Sequence, residues 1–278
     1  MDDGTSFLQE AMQRGESAVV ITVASTKGSV PRDAGTRMIV TTDGVFGTIG
    51  GGHLEFKAIE IAKNMIAAEG SRALHRFVLG ATLGQCCGGV VNLLFEPIAA
   101  TAESDVSVVA PAPDFHVVLF GAGHVGRAVV KVLSELSCTI TWVDSREDEF
   151  PRDIPANVNC VCTDAPEDEI DAASAGSFFL VMTHSHTLDQ TLSERILQRA
   201  DFAYFGLIGS HSKRRQFERR LQDRGISTAQ LAGMSCPIGA AGIHGKEPAT
   251  IAIAVAAEML QRRSKLACAD SAASGIAS

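Results

Sequence analysis

The sequence predicts an α/β protein in two parts, a mixed α+β N-terminal domain over residues 1–97 and a doubly wound, parallel-sheet domain over residues 115–266. Three observations carry this. After residue 113, near-continuous apolar runs alternate with amphipathic helical patterns, as in a parallel sheet covered on both faces. Before residue 99, strand-like runs are interrupted by a single helical period. Between them, residues 99–113 change to Ala, Ser, Val, Glu, Asp and Pro without either period and end Ala110-Pro111-Ala112-Pro113, so 98–114 reads as a linker.

In chain order, residues 18–24 and 36–40 read as strands because they are β-branched and apolar. Leu54, Ala58, Ile61, Ala62, Met65 and Ile66 recur at helical spacing, and strands are expected again at 73–79 and 90–95. Beyond the linker the expected elements are a strand at 115–120, a helix at 124–136 with Val125, Ala128, Val129, Val132 and Leu136 on one face, and strands at 139–143, 158–162 and 178–182. A helix at 188–199, a strand at 203–208 and a helix at 213–224 follow. The last helix, about 247–263, is apolar over much of its circumference from Ile251 to Ala257, so it needs burial on several sides, between domains or between subunits; this favours a homodimer. Residues 267–278 are small and polar and read as a flexible tail.

Composition narrows the function classes. The chain has 278 residues, 46% of them apolar, enough for two packed cores. A net charge of −8 with both signs interspersed argues against nucleic acid or an anionic membrane as partner. Residues 1–10 are acidic rather than apolar, and the longest near-apolar run, 251–257, is far short of a membrane span of about 20 residues, so a cytoplasmic location is expected. Seven cysteines, an odd and unevenly spaced number with Cys160 and Cys162 on one strand, fit reduced thiols better than a disulfide framework.

Gly121-Ala122-Gly123-His124-Val125-Gly126 follows a predicted strand and opens a predicted helix, and Asp144 ends the next strand 18 residues after Gly126. In that context the glycines have assignable roles: Gly121 for the tight turn, Gly123 for close approach of a pyrophosphate, Gly126 for helix-to-strand packing, with the amides around His124 and Val125 facing the anion. Asp144 would take ribose hydroxyls and repel a 2′-phosphate, favouring NAD or FAD, a choice that Arg146 just beyond leaves open; Ser145 and Arg146 join the candidate cofactor contacts. The same turn can also be kept for packing alone. His184-Ser185-His186 with Asp189 falls at the carboxyl edge of the sheet, where it either meets a ligand or caps a loop.

The N-terminal part holds a second glycine loop, Gly47-Thr48-Ile49-Gly50-Gly51-Gly52-His53-Leu54-Glu55, leading directly into a helix. Its amides suit an anion such as a phosphate, unless these glycines are simply turns. Upstream, Arg32 and Arg37 lie in a loop suited to bidentate contacts with phosphate or carboxylate. His53 and Glu55 can reach a ligand in the loop, although their spacing does not indicate zinc. In Leu83-Gly84-Gln85-Cys86-Cys87-Gly88-Gly89 the flanking glycines leave both thiols approachable, so the pair suits a soft metal centre or a persulfide, or else is two half-buried cysteines in a turn.

Taken together, the 28–38 segment Gly28-Ser29-Val30-Pro31-Arg32-Asp33-Ala34-Gly35-Thr36-Arg37-Met38, the Gly50–Glu55 motif and the cysteine motif resemble the N-terminal domain of the XdhC/CoxI family, the xanthine dehydrogenase accessory factors. The downstream half resembles that family's Rossmann-like domain through Gly121–Gly126, Val143-Asp144-Ser145-Arg146, Met182-Thr183-His184-Ser185-His186, Gly206-Leu207-Ile208-Gly209-Ser210, Cys236-Pro237-Ile238-Gly239 and Gly245-Lys246-Glu247-Pro248. The resemblance implies a factor that binds molybdenum cofactor (a molybdopterin), protects it while a cysteine desulfurase installs sulfur, and delivers it to xanthine dehydrogenase or a related molybdoenzyme. It implies Cys86 and Cys87 as molybdenum ligands or guards and Gln85 as a polar contact. Ala81, where proline is common, and Val90, where a basic residue is common, depart from the pattern. The competing class is an NAD-dependent oxidoreductase with His184 or His186 as acid or base.

Overall fold

The computed structural model describes residues 3–79, 89–99 and 113–274, so Gln85, Cys86 and Cys87 lie outside the described residues. The chain divides into two compact units, Met1–Ala112 and Pro113–Ser278.

The first unit runs α1 (Asp3–Gln13), β1 (Ala18–Lys27), β2 (Arg37–Thr41), β3 (Val45–Gly47), α2 (Gly52–Ala67), β4 (Ala73–Val78) and β5 (Val90–Ile98). Its sheet has the order β3-β2-β1-β5-β4 and is antiparallel throughout. Residues alternate across a strand, and β1 is apolar on both faces from Ala18 to Ile21, where both are covered. Val19, Ile21 and Val23 meet Leu54, Ala58 and Ala62 of α2, which recur every fourth residue on one helical face. Ala18 and Val20 meet Leu8 of α1 and Ile39. The sequence reading has neither α1, whose buried apolar positions are Leu8 and Ala11, nor the three-residue edge strand β3.

The second unit contains β6 (Phe115–Phe120), α3 (His124–Leu133), β7 (Cys138–Asp144), β8 (Val158–Cys162), α4 (Glu167–Ala172), β9 (Phe178–Val181), α5 (His186–Arg199), β10 (Tyr204–Leu207), α6 (His211–Asp223), α7 (Thr228–Leu231), β11 (Met234–Ser235) and α8 (Pro248–Ser274). All strands are parallel, in the order β11-β10-β9-β6-β7-β8. The order reverses at β6, so a crevice opens at the carboxyl ends of β6 and β9. Val117 and Leu119 face a core shared with α3 and α8, around Trp142, Val129, Leu133, Val255 and Met259. Val118 and Phe120 face the other core, built with Ile170, Leu192, Ile196, Phe217 and Leu221 of α4, α5 and α6.

Boundaries shift where caps act. α5 and α6 begin earlier than the apolar pattern indicates because Ser185 and Ser210 accept the Leu188 and Lys213 amides as N-caps. α8 starts with proline at its first position and continues to Ser274, past the expected end at 263, through a stretch rich in alanine, the strongest helix former. Its burial comes from α3 and from Gly239, whose added Cβ would lie 3.0 Å from Ala254, while Ile253 stays exposed. Among the described residues no helix is long and apolar enough to cross a membrane.

Candidate functional site

Three segments of the first unit converge at one end of its sheet. A Cβ on Gly50 would lie 2.5 Å from Pro31, one on Gly47 would lie 2.9 Å from the Arg37 carbonyl, and one on Gly89 would lie 2.4 Å from the Ser29 carbonyl. The 28–36 loop therefore touches both the triple-glycine turn and the residue that closes the cysteine motif. The Leu79 amide donates to the Gly89 carbonyl at 2.8 Å, so the chain leaves and re-enters the sheet at one point around residues 80–88. Arg37 begins β2 half-buried against Gly47, and Arg32 is exposed and makes no ion pair among the described residues.

The triple-glycine turn differs from its sequence reading. Gly50, Gly51 and Gly52 all have positive φ, of 119°, 71° and 64°, a conformation glycine alone adopts without steric cost. The anion on their amides is internal. Glu55 Oε2 accepts the Ile49 and Gly51 amides at 3.0 Å each and the Thr48 hydroxyl. Burial pushes the Glu55 carboxyl up, but the Thr48 hydroxyl and the Gly51, Ile49 and Gly50 amides together outweigh it and hold the group below its ordinary value. Glu55 is thus a clasp of its own loop, not a free ligand contact. The remaining donors are the first-turn amides of α2 from Gly52 onward, since this helix has no side-chain cap. His53, exposed in that turn, stacks on Phe56 with ring centroids 6.4 Å apart.

In the second unit the turn after β6 has the predicted geometry. Gly121 has φ 117°, and a Cβ there would lie 2.4 Å from the Met182 carbonyl; a Cβ on Gly126 would lie 2.0 Å from the Gly121 carbonyl. Gly123 has nothing within 4 Å of its Cβ position, so space is open where a phosphate would approach. α3 has no side-chain N-cap. His124 is exposed at its first position, and Val125 packs toward the core, contributing only its amide to the turn.

Asp144 sits at the end of β7, where the sequence places it, but its carboxylate is fully engaged. Oδ2 accepts the Ala122 amide at 2.7 Å and Arg146 Nη2 at 2.8 Å; Oδ1 accepts the Arg146 amide at 3.0 Å and Arg146 Nε at 2.9 Å. An ionised carboxylate has about four lone-pair sites, and all are occupied. Burial raises this carboxyl, whereas the Arg146 guanidinium, the Ala122 amide and the Arg146 amide lower it by more, so it stays ionised. Asp144 here forms a strut between the turn and Arg146.

Beside this strut lies a cavity of about 130 Å³ lined by, among others, Ser145, Thr163, Asp164, Glu167 and His184. Thr163, Asp164 and Glu167 are absent from the sequence reading, although their place just after β8 at the carboxyl edge is the signal that finds them. His186 points elsewhere: its Nδ1 is 3.2 Å from Lys213 Nζ and 3.9 Å from Asp189 Oδ2. Burial pushes the Asp189 carboxyl up, and the Thr183 hydroxyl and amide that bond it only partly offset that. Among the described residues no three His, Cys, Asp or Glu side chains cluster as a metal site.

An antiparallel unit followed by a parallel, glycine-turn unit defines a two-part protein with a Rossmann domain. Residues 117–259 match the XdhC Rossmann domain and residues 11–78 match the XdhC and CoxI family. The chain belongs to the XdhC and CoxI family. It is similar to the uncharacterized protein YqeB of Escherichia coli (strain K12), at 29% identity over 244 residues, covering 86% of this chain and 42% of that protein. The chain thus spans less than half the length of this curated relative. In fold it is similar to the crystal structure of a xanthine dehydrogenase from Bacillus halodurans, with a TM-score of 0.72, 18% identity and coverage of 93% of this chain and 95% of that one.

Proposed function

We propose that the chain is a maturation factor that takes molybdenum cofactor as cargo, shields it while a cysteine desulfurase exchanges a terminal oxo ligand for sulfur, and passes it to apo xanthine dehydrogenase or a related molybdoenzyme. The observation that carries this reading is the meeting of the 28–36 loop with the triple-glycine turn and with Gly89, the last residue of the cysteine motif, which Leu79 bonds across residues 80–88, in a chain of the XdhC and CoxI family. Thiolates of Cys86 and Cys87 suit a sulfur-chelated molybdenum, since soft ligands select soft, sulfur-rich centres. Because Glu55 already takes the Ile49 and Gly51 amides, the pterin phosphate falls to the α2 first turn and Arg32. The role is holding and handing over, in the cytoplasm and as a homodimer, without turnover by this chain.

The test is retention. Expressed in a host that makes the cofactor, the chain copurifies with molybdenum and pterin, and the C86A/C87A double variant loses both with an unchanged circular dichroism spectrum. Equal cofactor content in the two proteins refutes the role given to the pair. The alternative, a nicotinamide-dependent oxidoreductase using His184 or His186, has less in its favour: His186 lies against Lys213 and Asp189 rather than in the cavity beside the turn, which leaves His184 alone there as acid or base.

A further inference from the structure

The nucleotide turn of a Rossmann unit ordinarily reads a ribose through the acid at the end of the second strand. In this chain that acid is the centre of a closed ring. Asp144 holds the Ala122 amide and is clamped by Arg146 through Nε and Nη2. Arg146 Nη1 reaches Glu149 Oε1 at 3.2 Å, and Glu149 Oε2 takes Arg127 Nη2 at 2.7 Å. Arg127 Nε returns to the Ala122 carbonyl at 3.1 Å. Both the amide and the carbonyl of Ala122 are therefore engaged, and the two arginines and two acids sum to zero charge.

This arrangement leaves nothing for the 2′ position of a sugar. A 2′-hydroxyl finds no open acceptor on Asp144, whose carboxylate is only 3% exposed. Displacing Arg146, itself half-exposed, would leave the buried Asp144 carboxylate without the guanidinium that bonds both of its oxygens. A 2′-phosphate is neither repelled by a free carboxylate nor drawn by a net cation. By contrast, Gly123 stays open to a phosphate, and the 130 Å³ cavity that Asp144 also lines has room for a single heterocycle, with Thr163, Asp164 and Glu167 in its wall.

We infer that this cradle is blind to the 2′ position of its ligand, that Arg146 is the residue responsible, and that NAD is not selected over other nucleotides sharing its phosphate and base. The unit takes nucleotides by phosphate and heterocycle alone. The inference does not depend on cargo binding by the first unit, since its test leaves Cys86 and Cys87 untouched.

Isothermal titration of the full chain with AMP, GMP, their 2′-deoxy counterparts, 2′,5′-ADP, NAD and NADP decides it. Members of each series that differ only at the 2′ position bind within about threefold of one another. In Arg146→Ala, Asp144 is released, so AMP gains about tenfold or more over 2′-deoxy-AMP, the ratio of one hydrogen bond to a charged acceptor, and 2′,5′-ADP weakens. A tenfold preference of the wild-type protein for AMP over its 2′-deoxy form, or for NAD over NADP, overturns the inference, as does absence of binding by every nucleotide in the panel. The wild-type series suffices if the variant does not fold.

Discussion

Replacing Glu55 separates a structural clasp from a ligand contact. Glu55→Ala removes the acceptor of the Ile49 and Gly51 amides and of the Thr48 hydroxyl, and Ile49 is 1% exposed, so water reaches its vicinity poorly. Leaving a buried donor unpaired costs about 1–3 kcal/mol, and bonds to a charged acceptor are worth about 1.5–3 kcal/mol each. With partial relaxation of the loop, the first unit should lose about 2–4 kcal/mol. Glu55→Gln keeps an oxygen acceptor without its charge and should lose about 1 kcal/mol. The pH dependence gives a second check. The folded carboxyl titrates below its ordinary value, so its contribution is complete above the unfolded pKa of about 4.3 and disappears as pH falls through the folded pKa. The advantage of wild type over E55Q should therefore shrink below about pH 4. Urea unfolding at pH 7 and pH 3.5, followed by circular dichroism, measures both quantities. An E55A protein within about 0.5 kcal/mol of wild type, as for an ordinary surface substitution, or a difference from E55Q that does not change with pH, would refute the clasp.

Two glycines of the nucleotide turn should part company. Gly126→Ala places a methyl 2.0 Å from the Gly121 carbonyl and should cost about 3 kcal/mol or more in thermal or urea unfolding of the second unit, at the upper end of overpacking penalties. Gly123→Ala meets nothing within 4 Å, so it should leave stability within about 0.5 kcal/mol while weakening AMP at least tenfold in titration calorimetry, because the methyl fills the approach to the turn. His116, bonded to Ser177 at 3.2 Å and Thr141 at 3.0 Å, has its pKa lowered by burial. For a base lowered on folding, the unfolded chain takes up the proton first, so the second unit should lose stability as pH falls from about 6.5 toward the folded pKa. His116→Gln, which cannot titrate, should flatten that slope in a pH series of melting curves.

The second unit was the more legible half, and the reason is its buried central strands. β6, central in the sheet, falls on the residues that its apolar run marks, 115–120, because a strand covered on both faces has no polar register to blur it. α4 escaped because its buried residue, Ile170, stands among Glu167, Asp168, Glu169 and Asp171, which leaves no stripe to detect. Backbone position was more legible than side-chain direction. Asp144 does end β7, but the arginine that saturates it comes two residues later, beyond the strand, where no period fixes the direction of a side chain. Glu55 shows the same limit. An acid in the first turn of a helix is a recognised partner for loop amides, yet residue type alone does not separate a carboxylate that serves the loop from one that waits for a ligand.

The neck beneath the cysteine motif has a consequence for engineering. β4 and β5 are in register up to Val78 and Val90, and the Leu79–Gly89 bond seals the pair one step further on. Whatever chain lies between those two residues inherits fixed anchor points, and lengthening such an insert costs little, about 0.6 kcal/mol per doubling of a flexible loop. The thiol-bearing stretch is in this sense a cassette, exchangeable for another sequence without redrawing the two strands that flank it.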